Sequence, residues 1–305
     1  MPRLGRVLTE LVELPGGSFR MGSTSFYPEE APIHTATVEA FAIERHPVTN
    51  AQFAAFVADT GYITVAERPL DPALYPGVAQ EDLLPGALIF AGTPGPVDLS
   101  DWRQWWDWAP GANWRAPFGP GSDIVDKGDH PVVQVAYPDA GSYAAWAGRR
   151  LPTEAEFEYA AGAGATTTYA WGAEPRMDGQ VMANTWQGRF PYRNDGAKGV
   201  GAARWVGTSP VGTFPPNTFG LVDMIGNVWE WTTTKYSERG HLLSVPKNSC
   251  CPTSAEPDPS LIQALKGGSH LCAPEYCHRY RPAARSPQSQ DTSTTHIGFR
   301  CVVGS

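Results

Sequence analysis

The sequence is short of charge, of cysteine and of long apolar runs, and each shortage closes off a class of protein. Charged side chains make up only 18% of the 305 residues. Helical bundles and coiled coils are rich in charge and poor in glycine and proline, so neither describes this chain. Lysine and arginine number 23 against 31 aspartates and glutamates, a net charge of −8, and no stretch concentrates the cations. A phosphate backbone is a poor partner for such a chain, and no nucleic acid is expected. No apolar run approaches the ~18 residues of a membrane span. Arg3 and Arg6 are not followed by the apolar core of a signal peptide. These absences predict a cytoplasmic protein without a membrane partner. The five cysteines, Cys250, Cys251, Cys272, Cys277 and Cys301, are too few, and odd in number, for a disulfide framework.

What is present points one way. Glycine (32) and proline (29) supply a fifth of the chain, while 42% is hydrophobic, with 11 tryptophans. Such a chain can bury a large core between many turns. No internal repeat or linker divides it, and we expect one domain over residues 1–305.

Three helices are predicted from their end signals. Thr49–Asn50 opens one, with Phe53, Phe56 and Val57 on one face and Gly61 as its stop. Pro138–Asp139 opens a second, with Tyr143, Trp146 and Ala147 inward and Gly148 at its end. Thr153 and Glu156 form a capping box for a third, running through Tyr159 to Gly162. Short apolar strands are expected at Ala36–Phe41, Val132–Ala136, Trp205–Thr208 and Gly298–Val303. The sum is a mixed α+β fold with little regular structure. Residues 70–120 hold Trp102, Trp105, Trp106, Trp108 and Trp114, read as an excursion whose rings cover a core edge. An aromatic wall beside a peptide groove is the sharper reading of the same rings. Residues 237–262, with Cys250–Cys251, read as a surface insertion without assigned chemistry.

The most informative run is Lys266-Gly267-Gly268-Ser269-His270-Leu271-Cys272-Ala273-Pro274-Glu275-Tyr276-Cys277-His278-Arg279-Tyr280-Arg281. Two thiols stand five positions apart, with Ser269 three before the first. Spacing alone leaves four readings open. They are a disulfide, zinc completed by His270 and His278, Cu(I) on two thiolates, and two unlinked core thiols. Arg279 and Arg281 read as internal ion-pair formers. With two-coordinate copper on the thiols, His270, His278 and His296 read as hydrogen-bonded structural histidines.

Further blocks run the length of the chain. They are Leu14-Pro15-Gly16-Gly17-Ser18-Phe19-Arg20-Met21-Gly22, Pro47-Val48-Thr49-Asn50, His130-Pro131-Val132-Val133, and Trp146-Ala147-Gly148-Arg149-Arg150-Leu151-Pro152-Thr153-Glu154-Ala155-Glu156. Asn184-Thr185-Trp186-Gln187-Gly188, Gly226-Asn227-Val228-Trp229-Glu230-Trp231 and Gly298-Phe299-Arg300-Cys301 follow. In this order, and together with the cysteine run, they resemble the formylglycine-generating enzymes, the sulfatase-modifying-factor family. The Gly-Asn-Val-Trp-Glu-Trp block belongs to a wider fold family. The set Ser269, Cys272 and Cys277 is the discriminating part.

The resemblance implies a loop-rich, C-type-lectin-like α+β fold. It implies an oxidase that uses O2 to convert the cysteine of Cys-x-Pro-x-Arg segments in unfolded sulfatases to Cα-formylglycine. Cu(I) would be held by Cys272 and Cys277, with the client thiolate as third ligand. Soft thiolates suit Cu(I). Ser269 would sit near the copper, although a turn serine capping a backbone N–H is its rival reading. Trp229 would wall the pocket or simply pack in the core. One calcium site would use Asp223, Gly226, Val228 and Glu230, oxygen donors that suit a hard ion. A second would use Asn184 and Thr185, with Asp195 standing in for a missing carboxylate. The structural cysteines of eukaryotic members are replaced by Ala144, Ala161 and Pro282, which leaves Cys301 as a buried thiol. Ala273-Pro274 stand where many relatives carry a histidine after the first active-site cysteine. The alternative function is a non-catalytic peptide- or ligand-binding module on the same scaffold.

Overall fold

Local sequence signals fix the ends of the three helices. A computed structural model describes residues 7–72, 77, 79, 83–236 and 262–304. Helix α1 spans Asn50–Thr60. The Thr49 hydroxyl accepts from the Gln52 N–H, and the Gln52 side chain accepts from the Thr49 N–H at 2.9 Å, a closed capping box. Gly61, at φ 67°, ends it. Helix α2 spans Tyr137–Ala147 and stops at Gly148, φ 70°. Its first turn is capped by Asp139, whose Oδ2 accepts from the Ala136 N–H at 2.8 Å. Helix α3 spans Glu154–Gly162 and starts on the Thr153/Glu156 box, as expected. The buried face of α1 sets Phe53 against Phe56, Tyr143 of α2, Trp114 and Phe299. Fully burying one such ring is worth about 1.5–3 kcal/mol.

The central sheet has four strands in the order Arg285–Ser289, Ile262–Lys266, Trp229–Lys235, Ile297–Gly298; the last pair is parallel and the others antiparallel. A second sheet joins Leu11–Leu14, Phe41–Glu44 and Val302–Val303. The remaining pairs are hairpins: Gly17–Met21 with His34–Val38, Gly86–Phe90 with Trp106–Pro110, Arg176–Met177 with Gln180–Val181, and Gly188–Arg189 with Arg193–Asn194. Helix α3 lies against the first hairpin and the central sheet. The class is α+β, with three α-helices and many short strands among the described residues. None of these helices is long and apolar enough to cross a membrane.

The strands depart from expectation, for local reasons. Ala36–Phe41 is not one strand: the chain leaves the hairpin at Val38 and enters the second sheet at Phe41. Gly16, at φ 70°, presses on this break; a Cβ there would lie 2.5 Å from the Glu39 carbonyl carbon. Val132–Ala136 forms no strand. Its apolar side chains are buried, but Gln134 sits at φ 59° and its N–H donates to the Thr294 carbonyl instead of a ladder. Trp205–Thr208 reduces to a single bridge between Trp205 and Ala197. Gly298–Val303 divides between two sheets. Arg300 lies between these halves and turns inward to Glu230. The insertion expected over 237–262, with Cys250–Cys251, lies outside the described residues except for Ile262.

Buried ion pairs tie distant segments. Arg300 pairs with Glu230, Arg285 with Glu154, Arg281 with Glu30 and Arg279 with Glu29. Arg279 and Arg281 thus make the internal pairs expected of them. Both guanidinium groups also stack on rings, Arg279 on Tyr27 at 3.8 Å and Arg281 on Phe26 at 3.7 Å.

Candidate active site

The cysteine loop is pinched shut at its neck. Leaving the strand Ile262–Lys266, the chain passes Gly267 and Gly268 at φ 91° and 75°. L side chains avoid this region. Space also forbids them: a Cβ on Gly268 would lie 2.8 Å from the Tyr280 Cα and 2.9 Å from the Arg279 carbonyl oxygen. The two ends of the loop therefore touch backbone to backbone. Between them come two turns. The Ser269 carbonyl accepts from the Cys272 N–H at 2.9 Å, and the Ala273 carbonyl accepts from Cys277 at 2.6 Å. This brings Cys272 Sγ within 3.2 Å of Cys277 Sγ. A disulfide bond is about 2.05 Å long, so the sulfurs touch without being joined. Cys301 is likewise outside any disulfide and buried, and burial raises its thiol pKa.

Cys272 reaches a narrow cleft, lined by Phe90, Trp105, Trp106, Phe190, Ser269, Leu271, Tyr276 and His296. Cys277 lies behind it, fully buried. The Tyr276 ring stacks on Phe190 at 4.7 Å and meets Trp105 edge-on at 5.2 Å. Trp106 lies over His296 at 4.9 Å. The tryptophan-rich excursion covers a core edge, and two of its rings also line the cleft at Cys272. Trp105 and Trp106 are buried in an aromatic cluster, and one edge of that cluster walls the cleft. Trp114 joins the main core, Trp102 is half-buried and Trp108 is exposed. Trp229 is fully buried in the main core, and its ring is not among those that line the cleft. Ser269 makes the serine turn read for it and stands beside Cys272. Its Oγ accepts from the Leu271 N–H at 3.2 Å, a serine turn, and the residue lines the cleft beside Cys272.

The histidines are held by other partners. His270 Nδ1 donates to the Asn227 carbonyl at 2.8 Å, and burial lowers its pKa to about 4, so it is neutral. His278 Nε2 meets the Tyr169 hydroxyl at 2.8 Å, and His296 Nδ1 meets Thr294 Oγ1 at 2.7 Å. Among the described residues no three His, Cys, Asp or Glu side chains converge as a metal cluster, so the Cys₂His₂ zinc arrangement is not formed.

The oxygen donors read for calcium lie in one neighbourhood. Gly226, at φ 76°, abuts the backbone of Asn184; a Cβ there would lie 2.5 Å from the Asn184 carbonyl oxygen. Asp223 Oδ2 accepts from the Gly212 N–H at 2.7 Å, while Oδ1 is buried without a hydrogen-bond partner. Burial pushes this carboxyl up to about 6. Asn184 Oδ1 is buried and unpartnered in the same way. Two orphaned buried oxygens suit a hard cation, since such atoms are normally satisfied. Glu230 differs: Arg300 Nε and Nη2 each donate to its carboxylate at 2.8 Å. Val228 is buried beside it. Thr185 Oγ1 accepts from Gln187 Nε2 at 3.0 Å. Asp195 does not join Asn184; its carboxylate is exposed and pairs with Arg193 at 2.9 Å.

Residues 2–304 match the family described as "Sulfatase-modifying factor enzyme 1-like domain". The chain belongs to this family. It is 72% identical over 299 residues to a formylglycine-generating enzyme of Mycobacterium tuberculosis, covering 97% of this chain and 98% of that one. It is 43% identical to a formylglycine-generating enzyme of Thermomonospora curvata, covering 96% and 92%. Among solved structures, PvdO from Pseudomonas aeruginosa superposes with a TM-score of 0.57 at 26% identity, covering 96% and 94%. The family resemblance read from the sequence is shown, and the fold with it. The sequence did not show which rings face the cysteines. Phe90, Phe190 and His296 come from three remote segments, and no motif marks them.

Proposed function

We propose that this protein converts the cysteine of Cys-x-Pro-x-Arg segments in sulfatase chains to Cα-formylglycine, with O2 as oxidant and Cu(I) on Cys272 and Cys277. The observation that carries this reading is the pair of contacting sulfurs, 3.2 Å apart, with one of them at an aromatic cleft. The relatives that bear the enzyme's name span nearly the whole chain.

The donor set fits the ion: two adjacent thiol groups are soft ligands, and two protein ligands leave room for a client thiolate. Bound there, Cu(I) supplies the redox couple by which dioxygen takes electrons from the client cysteine. The chain's own residues do the rest. Cys272 and Cys277 present their sulfurs together because Gly268 closes the loop. Ser269 holds the turn before Cys272 and offers its hydroxyl to the cleft. The stacked rings of Phe190, Tyr276 and Trp105 wall the cleft and keep water from it. Asp223, Gly226, Val228 and Glu230 would supply the oxygens of one calcium site, and Asn184 and Thr185 those of a second. We place this work in the cytoplasm, whose reducing conditions keep thiols free.

Mass spectrometry of a Cys-x-Pro-x-Arg peptide, incubated with protein, copper and air, tests the reading. We expect a mass loss for thiol-to-aldehyde conversion with the native protein. Cys272→Ala should slow it at least about 10³-fold, the scale seen when a group essential to the reaction is removed. Conversion by the variant at the native rate would sink the proposal. Tight peptide binding without conversion or O2 uptake would support the binding-module alternative.

A further inference from the structure

A second groove opens beside the cysteine loop. Its walls include Thr185, Trp186, Gln187, Pro274, Glu275 and Tyr280, and it encloses about 190 Å³. Pro274 and Glu275 lie between the two cysteines in sequence. This groove continues into a larger one of about 370 Å³; Arg176, Val181 and Gln187 line both. The larger groove also gathers Lys198 and Arg204.

Three cations on one groove stand out in a chain of net charge −8. None of the three forms an ion pair with an acidic side chain of the described residues. The nearby acids do not pair with them: Glu174 and Asp178 form no ion pair with them, Glu275 of the smaller groove accepts from the Phe190 N–H, and Asp195 is taken by Arg193. Neutral acceptors aim the guanidinium groups instead. Arg176 Nη2 donates to Gln187 Oε1 at 2.6 Å and Nη1 to the Gly179 carbonyl at 3.2 Å, while Arg204 Nη1 donates to the Gly196 carbonyl at 3.3 Å. These bonds orient the groups and leave their charge in place. Several other arginines are held by carboxylates, as Arg150 is by Glu156, although Arg68 donates to the Ile63 carbonyl.

We propose that Arg176, Lys198 and Arg204 dock an acidic segment that flanks the reacting cysteine in the client chain. Naming that segment as part of the client rests on the function proposed above; the acidic chemistry of the occupant rests on the groove alone. An extended peptide crossing the cysteine loop at Pro274–Glu275 runs onto these cations. Aspartate or glutamate side chains would meet them as solvent-exposed pairs, each modest, and together worth about a tenfold gain in affinity.

Fluorescence anisotropy on copper-free protein tests this without turnover. The probes are peptides with the reacting cysteine replaced by serine, carrying two aspartates or two asparagines at two to eight residues on either side. At least one aspartate placement should bind about tenfold tighter than its asparagine twin. The gain should vanish in Arg176→Gln/Lys198→Gln/Arg204→Gln and at high salt, while asparagine-peptide binding stays level. All three side chains are exposed, so the variant should fold, which circular dichroism checks. Equal binding of every twin pair to the native protein would overturn the proposal, as would a gain that survives in the variant. Inorganic phosphate displacing the aspartate peptide at micromolar concentration would also overturn it, by assigning the groove to a free small anion. An acidic peptide lacking the Cys-x-Pro-x-Arg core separates the two readings. Its binding with no conversion of any core peptide would remove the enzymatic proposal and leave the acidic groove.

Discussion

At Gly268 the backbone must both turn through φ 75° and touch Arg279–Tyr280, and no other residue type meets both demands. The consequence reaches the sulfurs, because this contact is what brings Cys272 and Cys277 together. Gly268→Ala should therefore cost about 2–3 kcal/mol from the left-handed strain and the close backbone contact combined. Urea unfolding measures that loss. The same variant should react faster with a thiol reagent, as the loop opens and both sulfurs meet solvent. Unchanged stability together with unchanged thiol reactivity would refute the account of the neck. At this scale the site was half legible. The cysteines, Ser269 and the Gly-Gly pair stand in one run, so their association shows in the sequence. The ring lining does not, since Phe90 and His296 lie some two hundred positions apart and meet only through tertiary packing.

The helices were readable and the strands were not, and the difference is physical. A helix end is a local event. Thr49, Thr153, Gly61 and Gly148 each satisfy or stop a turn within four residues. A short strand depends on its neighbour, so an apolar run such as Val132–Ala136 says only that it is buried. Asp139 shows how much one cap can govern. Its carboxylate accepts from the Ala136 and Val65 N–H groups and from the Tyr62 hydroxyl. Burial nevertheless pushes its pKa up to about 6 from the ordinary 3.8. The folded protein then keeps this proton at pH values where the unfolded chain has lost it. The group's favourable contribution is full below pH 4 and is lost as pH rises through 6. Two units correspond to about 3 kcal/mol. Asp139→Asn cannot ionise. The stability of the native protein relative to this variant should therefore fall by up to about 3 kcal/mol between pH 4 and 6.5. Chemical denaturation at a series of pH values reads the difference, and a level difference across that window would count against the shift.

Across the whole molecule, buried charge does work that apolar packing does in simpler folds. Glu29 and Glu30, near the beginning of the chain, meet Arg279 and Arg281, about 250 positions later. The arginines were legible as internal pair-formers, but their partners were not, since nothing in a sequence marks contacts across such a span. These pairs clamp the segment that leaves the cysteine loop against an early turn of the chain, so site and scaffold share one set of bonds. Arg281 is the more deeply held. Its Nη1 donates to Glu30 Oε2 at 2.8 Å, its Nε donates to the His278 carbonyl at 2.8 Å, and its guanidinium lies on Phe26. Removing one partner strands a buried charge, which costs about 3–5 kcal/mol, whereas replacing both with apolar groups of similar size is often nearly neutral. Arg281→Met alone and Glu30→Leu alone should each lower unfolding free energy by that amount. The double variant should be more stable than either single one, a coupling of at least about 2 kcal/mol in a double-mutant cycle. Losses that simply add would mean that the two side chains act separately, and the clamp would then have to be sought in Arg279 and Glu29.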